Sequence, residues 1–224
     1  MRTVDFLPNH EDIKIIQDDE MFRINTDTAC LGEFLEIYKE DTVLDIGTNN
    51  GALLMYASFF NPKKLIGIDI NDKALELAKI NLDNLGLTNY ELIKADANNY
   101  VGEEMDVIIC NPPYFKTRKE DLSKNPYLAL AKHEDNLRLD NLIKTIYKNL
   151  KLNGTLFMLF QTTRLDEVIL ELNKNKLNVK LLQFVYDENK DYSNVVLIKA
   201  VKCSQAGLNV IKPIVINRKK KYLI

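Results

Sequence analysis

Tryptophan is absent from the 224 residues, and there are only two histidines, three cysteines, eight glycines and six prolines. Cys30, Cys110 and Cys203 lie far apart and form no CxxC pair. That spacing argues against a disulfide framework and a cysteine-rich zinc site, and favours a reducing compartment. With His10 and His133 as the whole supply of imidazole, a multi-histidine centre has nothing to build on, so no metal is expected. No apolar run approaches the ~20 residues needed to cross a bilayer. The opening residues Met1 to Asp5 lack the apolar core of a secretory signal. A cytoplasmic protein without a membrane partner is the expectation. Neither sign of charge dominates: the formal net charge is −2, which rules out a uniformly basic surface.

The hydrophobic share of 46% is too high for a disordered chain, and the length suits one ordinary domain. There is no internal repeat, low-complexity tract or Gly/Ser linker, so residues 1–224 read as a single domain. Within it, 1–40 read as an N-terminal hairpin segment, 41–202 as the core and 203–224 as a basic tail. No obligate protein partner is evident.

Short apolar runs alternate with amphipathic segments. Thr42–Gly47, Leu65–Asp69, Tyr90–Lys94, Met105–Cys110 and Thr155–Phe160 read as buried strands. Runs of that length separated by helices are how a doubly covered parallel sheet reads. Leu75, Ala78, Leu82 and Leu85 repeat at helical spacing, with Asn71 or Asp72 as cap and Gly86 as stop. Leu139 to Leu150 carry a second stripe, closed by Asn153-Gly154, and Leu165 to Leu172 a third. Val179–Tyr186 and Asn194–Val201 then follow without a helix between them, which predicts an antiparallel hairpin. Upstream, Ile13–Gln17 and Met21–Ile24 flank Asp18-Asp19-Glu20 and predict a small hairpin. The long polar stretch from Phe115 to Asp135 has the length of a functional or mobile loop.

Four signals sit at the C-terminal ends of predicted strands, the edge where ligands bind in open α/β sheets. Asp45-Ile46-Gly47-Thr48-Asn49-Asn50-Gly51 follows the first strand; its glycines allow a tight turn and close approach of a ligand. It is not GxGxxG, so it supports no pyrophosphate cradle and makes a nicotinamide-linked dehydrogenase a poor alternative. Asp69 ends the second strand, where a carboxylate accepts from both ribose hydroxyls; its bland reading as a helix cap is already filled by Asn71 and Asp72. Ala95-Asp96-Ala97 follows the third, where Asp96 either receives an adenine amino group or is a solvated turn residue. Asn111-Pro112-Pro113-Tyr114 follows the fourth. Two prolines can simply end a strand, but Asn-Pro-Pro-aromatic at the ligand edge is far more specific.

In this order the motifs resemble class I S-adenosylmethionine-dependent methyltransferases, and Asn-Pro-Pro-Tyr resembles the signature of the branch that methylates exocyclic amino groups or a glutamine amide. The resemblance covers roughly residues 25 to 202. It implies a Rossmann-like α/β fold with a seven-stranded, mostly parallel sheet and an antiparallel C-terminal hairpin. In detail the chain is similar to the bacterial family that methylates adenine 37 beside the anticodon of valine tRNA, through Thr26-Asp27, His133-Glu134, Gly207-Leu208 and Pro213. The resemblance implies S-adenosyl-L-methionine as cofactor and Asn111, Pro112, Pro113 and Tyr114 as catalytic residues. It implies Thr26, Asp27, Asp45, Gly47, Gly51, Asp69, Ile70, Asp96, Ala97 and Asn111 around the cofactor. It implies a tRNA partner held by Lys116, Arg118, Lys119 and the run Arg218, Lys219, Lys220, Lys221; the bland reading of those cations is a solvated loop and tail. His133 either anchors the loop or meets the substrate. A ribosomal-RNA base amino group or a protein glutamine amide is the alternative substrate. One departure stands out: Asn49 occupies a position where the family commonly has glycine, and asparagine is the residue most tolerant of positive φ after glycine.

Overall fold

The computed structural model describes residues 1–112 and 137–217. It opens with an antiparallel hairpin of β1 (Arg2–Leu7) and β2 (His10–Asp18). The turn is Pro8-Asn9, with Asn9 at φ 63°, where proline sets the first turn residue and asparagine accepts the left-handed second. A hairpin was expected here, but about Asp18-Asp19-Glu20. Met21–Ile24 form no strand, because β2 runs through all of Ile13–Gln17 and the more tightly encoded Pro-Asn turn sets its register.

Next come α1 (Thr26–Glu33), β3 (Thr42–Ile46), α2 (Ala52–Ser58), β4 (Lys64–Asp69), α3 (Asp72–Asn84), β5 (Tyr90–Lys94) and β6 (Met105–Cys110). They lead to α4 (Leu139–Asn149), β7 (Leu150–Gln161), α5 (Leu165–Lys174), β8 (Leu177–Asp187) and β9 (Ser193–Lys202). The short β10 (Asn209–Val210) and β11 (Ile214–Ile216) end the described chain. Strands β3 to β7 are mutually parallel in the order β5-β4-β3-β6-β7, and β9 lies antiparallel between β7 and β8. The fold is the expected Rossmann-like one, with an antiparallel C-terminal pair.

The sheet is wider than the expected seven strands. β10 and β11 both add to the outer edge of β8, in parallel, for nine described strands. Pieces of two and three residues, with Pro213 between them, are too short to show a period, and they form because β8 offers an unpaired edge. The second stripe also ends earlier than expected. Asn149 closes α4 and Leu150 already belongs to β7, paired with Met105. The Asn149 side chain ties the helix end to the loop before β6, accepting from the Gly102 N–H at 2.7 Å and donating to the Tyr100 carbonyl at 2.9 Å and to the Thr145 carbonyl of its own helix at 2.8 Å.

Right-handed crossovers from β3 outward in both directions put α2 and α3 on one face and α4 and α5 on the other. α1 packs on α2, and Phe34 at its end meets Phe157 of β7 edge-to-face at 5.8 Å. The central strands are dry: Leu44, Ile108, Ile109, Phe157 and Ile198 have no exposed surface. Each such side chain contributes about 1.5–3 kcal/mol of burial.

Two side chains of the core, Tyr56 and Asn81, help moor the hairpin. The Tyr56 hydroxyl donates to the Pro8 carbonyl at 2.7 Å. Asn81, fully buried on α3, accepts from the Ile16 N–H at 2.7 Å and donates to the Ile16 carbonyl at 2.9 Å. Its amide nitrogen also donates to the Asn50 carbonyl at 2.9 Å, so one side chain ties hairpin, helix and loop together.

Candidate active site

The strands β3, β4, β5 and β6 all end at one edge, and the crossover direction reverses between β3 and β6. An open sheet leaves a crevice at such a point. Here it is a cleft of about 370 Å³, part of it open to solvent, lined by Gly47, Thr48, Asn49 and Asn50 after β3 and by Asn111 after β6. Ala52 and Leu53 of α2, Thr28 of α1, and Phe22 and Ile24 of the segment before α1 complete it.

Gly47 has φ 78°, and an added Cβ would meet nothing within 4 Å, so this glycine serves the turn and leaves open space above it. Gly51 works differently. It stands at the start of α2 with φ 80°, and an added Cβ would lie 3.2 Å from the Ala78 Cβ, so it lets α2 approach α3. Asn49 adopts φ 47°, the left-handed conformation that asparagine tolerates.

Asp45 is fully buried at the end of β3, and among the described residues neither carboxylate oxygen has a hydrogen-bond partner. Burial pushes its carboxyl up to about 7; the nearby Thr48 hydroxyl opposes this in part and the Asp69 charge reinforces it. The Thr48 hydroxyl and the Asn50 amide nitrogen are buried beside the cleft and likewise have no partner among the described residues. Orphaned buried groups of this kind point to a ligand that completes them. An ionisable carboxyl beneath the turn, an amide donor and a hydroxyl suit a molecule carrying both an ammonium, which would favour the carboxylate form, and a carboxylate.

Asp69, at the end of β4, organises two loops. Its Oδ2 accepts from the Asn49 N–H at 3.0 Å and its Oδ1 from the Asn71 N–H at 2.9 Å. Burial raises its pKa against the pull of these donors and the Ile70 N–H. The capping role falls to Asn71, which accepts from the Lys73 N–H at 3.0 Å. Beside it, Ile70 is 59% exposed, an apolar side chain left uncovered at the ligand edge. Asp96, half-buried after β5, uses Oδ1 to accept from the Asn98 N–H and side chain, both at 2.8 Å. Ala97 is half-buried in the same turn, and the Asn98 Oδ1 accepts from the Arg138 N–H at the start of α4.

Asn111 and the buried Pro112 follow β6 directly, and the pairing of Cys110 with Ile46 brings Asn111 next to the Gly47 turn. Thr26 and Asp27 form the first turn of α1 without lining the cleft; Thr28 lines it, with its N–H bonded to the capping Asn25 side chain at 2.9 Å. Pro113, Tyr114, Lys116, Arg118, Lys119, His133, Glu134 and Arg218 to Lys221 lie outside the described residues. Among the described residues no group of three metal-ligating side chains occurs, and no helix is long and apolar enough to cross a membrane.

Phe22 and Ile24 were not foreseen, because they precede the first helix and belong to no motif. Asn81 had a legible signal: a polar residue on an otherwise apolar helix face, shared with Ala74, Leu77 and Ala78.

Comparison with known proteins agrees with this geometry. Residues 37–207 match the family model described as a methyltransferase domain. The tRNA1(Val) (adenine(37)-N6)-methyltransferase of Shewanella woodyi is 27% identical over 175 residues, covering 73% of this chain and 70% of that protein. A release factor glutamine methyltransferase of Buchnera aphidicola is 34% identical over 102 residues, covering 43% and 37%. The crystal structure of the M. jannaschii tRNA m1G37 methyltransferase superposes with a TM-score of 0.65 at 17% identity, over 91% of this chain and 57% of that one, a likeness of fold. A Rossmann-like sheet, a cleft at its reversal point with orphaned polar groups, and a family match over most of the core lead to one assignment: the chain belongs to the methyltransferase domain family and is a class I, S-adenosylmethionine-dependent enzyme.

Proposed function

We propose that this enzyme methylates the exocyclic N6 amino group of an adenine in tRNA, with position 37 beside the anticodon of valine tRNA as the target. The observation that carries the reading is the delivery of Asn111 by β6 into the cleft formed by the Gly47–Asn50 turn, with Pro112 next in the chain. The name of the Shewanella relative supports the substrate.

S-adenosylmethionine supplies an electrophilic methyl group when bound. The residues of this chain must make a poor nucleophile attack it. An exocyclic amine shares its lone pair with the ring, and it recovers that pair only as the nitrogen becomes tetrahedral. The Asn111 side-chain oxygen and the Pro112 carbonyl each accept one amino hydrogen, which holds the nitrogen in place and favours the localised pair. Neutral acceptors suffice, because the methylated nitrogen carries an acidic proton that leaves to solvent. Tyr114 offers a face for the displaced base, a contact worth about 1–3 kcal/mol. An anticodon loop is single-stranded, so extruding one base costs less than from a duplex. Lys116, Arg118, Lys119 and Arg218 to Lys221 supply the phosphate grip. Such a substrate puts the work in the cytoplasm.

A second reading is favoured by the Buchnera relative: transfer to a glutamine amide, whose planar NH2 presents the same two hydrogens to the same two acceptors. The test is transfer of label from S-adenosylmethionine to unmodified bulk tRNA, ribosomal RNA and cell protein in parallel, followed by digestion and mass spectrometry. The expected product is N6-methyladenosine from tRNA, lost in Asn111→Ala. Label in protein as methylglutamine, with none in tRNA, would replace the first reading by the second.

A further inference from the structure

We infer that Asn49 is a positioning residue that holds the segment before α1 against the cofactor cleft and thereby sets the affinity for the cofactor. Three observations converge on this side chain. Its backbone sits at φ 47°, so the turn itself demands a residue able to adopt the left-handed region and would be served at least as well by glycine. Its side-chain amide donates to the Phe22 carbonyl at 2.6 Å, a contact glycine cannot make and one that reaches 27 positions back along the chain. Its own N–H donates to the Asp69 Oδ2 at 3.0 Å. One residue therefore links the carboxylate at the end of β4, the turn after β3 and the N-terminal segment.

The segment it holds is part of the cleft, since Phe22 and Ile24 both line it. Little else in the stretch from Asp19 to Asn25 belongs to regular structure, so its position depends on side-chain ties. Two are prominent: Asn49 on the Phe22 carbonyl, and the buried Gln17, whose Oε1 accepts from the Ile24 N–H at 2.7 Å. Gln17 is fixed within β2 and anchors the far end. Asn49 fixes the middle of the segment to the turn that forms the cleft. Without it Phe22 keeps its covalent place but loses its register against Gly47–Asn50, and bound ligand loses an ordered wall. A partly buried hydrogen bond of this kind contributes a factor of about three to ten in an equilibrium constant. That factor is the expected contribution to ligand affinity.

Asn49→Gly is the informative variant, because it allows the same backbone conformation and keeps the Asp69 contact while removing the tie to Phe22; the side chain's own share of the cleft wall goes with it, and exchange in residues 19–25 separates the two effects. Three measurements are made on the full chain: S-adenosylhomocysteine affinity by calorimetry, amide hydrogen exchange of the ligand-free protein, and the thermal midpoint. The expected result is three- to ten-fold weaker binding, faster exchange confined to residues 19–25, and a thermal midpoint lowered by no more than about 2–4 °C, the cost of one hydrogen bond. Unchanged or tighter binding would overturn the inference. Weaker binding with unchanged exchange in 19–25 would also overturn it, by placing the loss in the turn rather than the segment. None of these readouts uses RNA, so their failure is separate from any failure of the proposed substrate.

Discussion

Replacing Asp45 with asparagine removes an ionisable group from a fully buried site where it has no hydrogen-bond partner among the described residues. The wild-type carboxyl moves from an ordinary 3.8 to about 7 on folding, because burial penalises the charged form. The native state therefore binds this proton more tightly than the unfolded chain. The resulting stabilisation is full below about pH 4 and is lost as the pH rises through 7. Between pH 5 and pH 8.5 the loss comes to roughly 3 kcal/mol, from two pKa units at about 1.4 kcal/mol each. Asparagine has nearly the same shape and does not titrate. Its unpartnered amide costs the same at both pH values and cancels in a difference of differences. Urea unfolding of the ligand-free proteins at pH 5 and pH 8.5 measures that quantity. The wild type should lose about 3 kcal/mol relative to Asp45→Asn on going to the higher pH. A gap below about 0.5 kcal/mol, or one of opposite sign, would refute the placement of a buried carboxyl with a raised pKa beneath the Gly47 turn.

The same group governs ligand binding. An ammonium on the ligand favours the ionised carboxylate, so S-adenosylhomocysteine should bind about tenfold more tightly at pH 8 than at pH 6, and the dependence should vanish in Asp45→Asn; a flat wild-type profile in calorimetry would contradict it. Asn81→Leu leaves the Ile16 N–H and the Ile16 and Asn50 carbonyls without this partner in a buried site, at about 1–3 kcal/mol for each group left unmade. Its chemical denaturation midpoint should fall by an amount equivalent to at least 3 kcal/mol, and a loss under 1 kcal/mol would show that the hairpin is not moored there.

Much of this fold was legible in the sequence because burial on both faces imposes a strong pattern. β5 and β6 fall on the predicted residues, and β3 and β4 differ by one position at an end, since parallel strands covered by helices read as continuous apolar runs. α3 was equally legible, through Asn71 at its start and Gly86 at φ 76° just past its end. The elements that escaped are those set by a partner rather than by their own residues. β10 and β11 exist because β8 has an edge to fill, and β1 gains its place by pairing with β2. The candidate site divides in the same way. Gly47 and Asn111, which line the cleft, were readable from motif and spacing, since each directly follows a strand. Phe22, Ile24 and Thr28 were not, because what brings them to the cleft is a set of side-chain ties from Asn49, Gln17 and Asn25. Asn49 was readable as a turn residue through its tolerance of positive φ, but its reach to Phe22 depends on tertiary contact.

The central claim is that Asn111 and Pro112 present the exocyclic amine of adenine 37 to the methyl donor. Its most direct test compares single-turnover methyl transfer to two synthetic anticodon stem-loops of valine tRNA, one with adenine at position 37 and one with purine lacking the 6-amino group. The account predicts one methyl per stem-loop on N6 of the adenine substrate, none on the purine substrate, and no transfer to either by Asn111→Ala. Equal incorporation into both stem-loops, or none into the adenine substrate by an enzyme that binds S-adenosylhomocysteine, would contradict it.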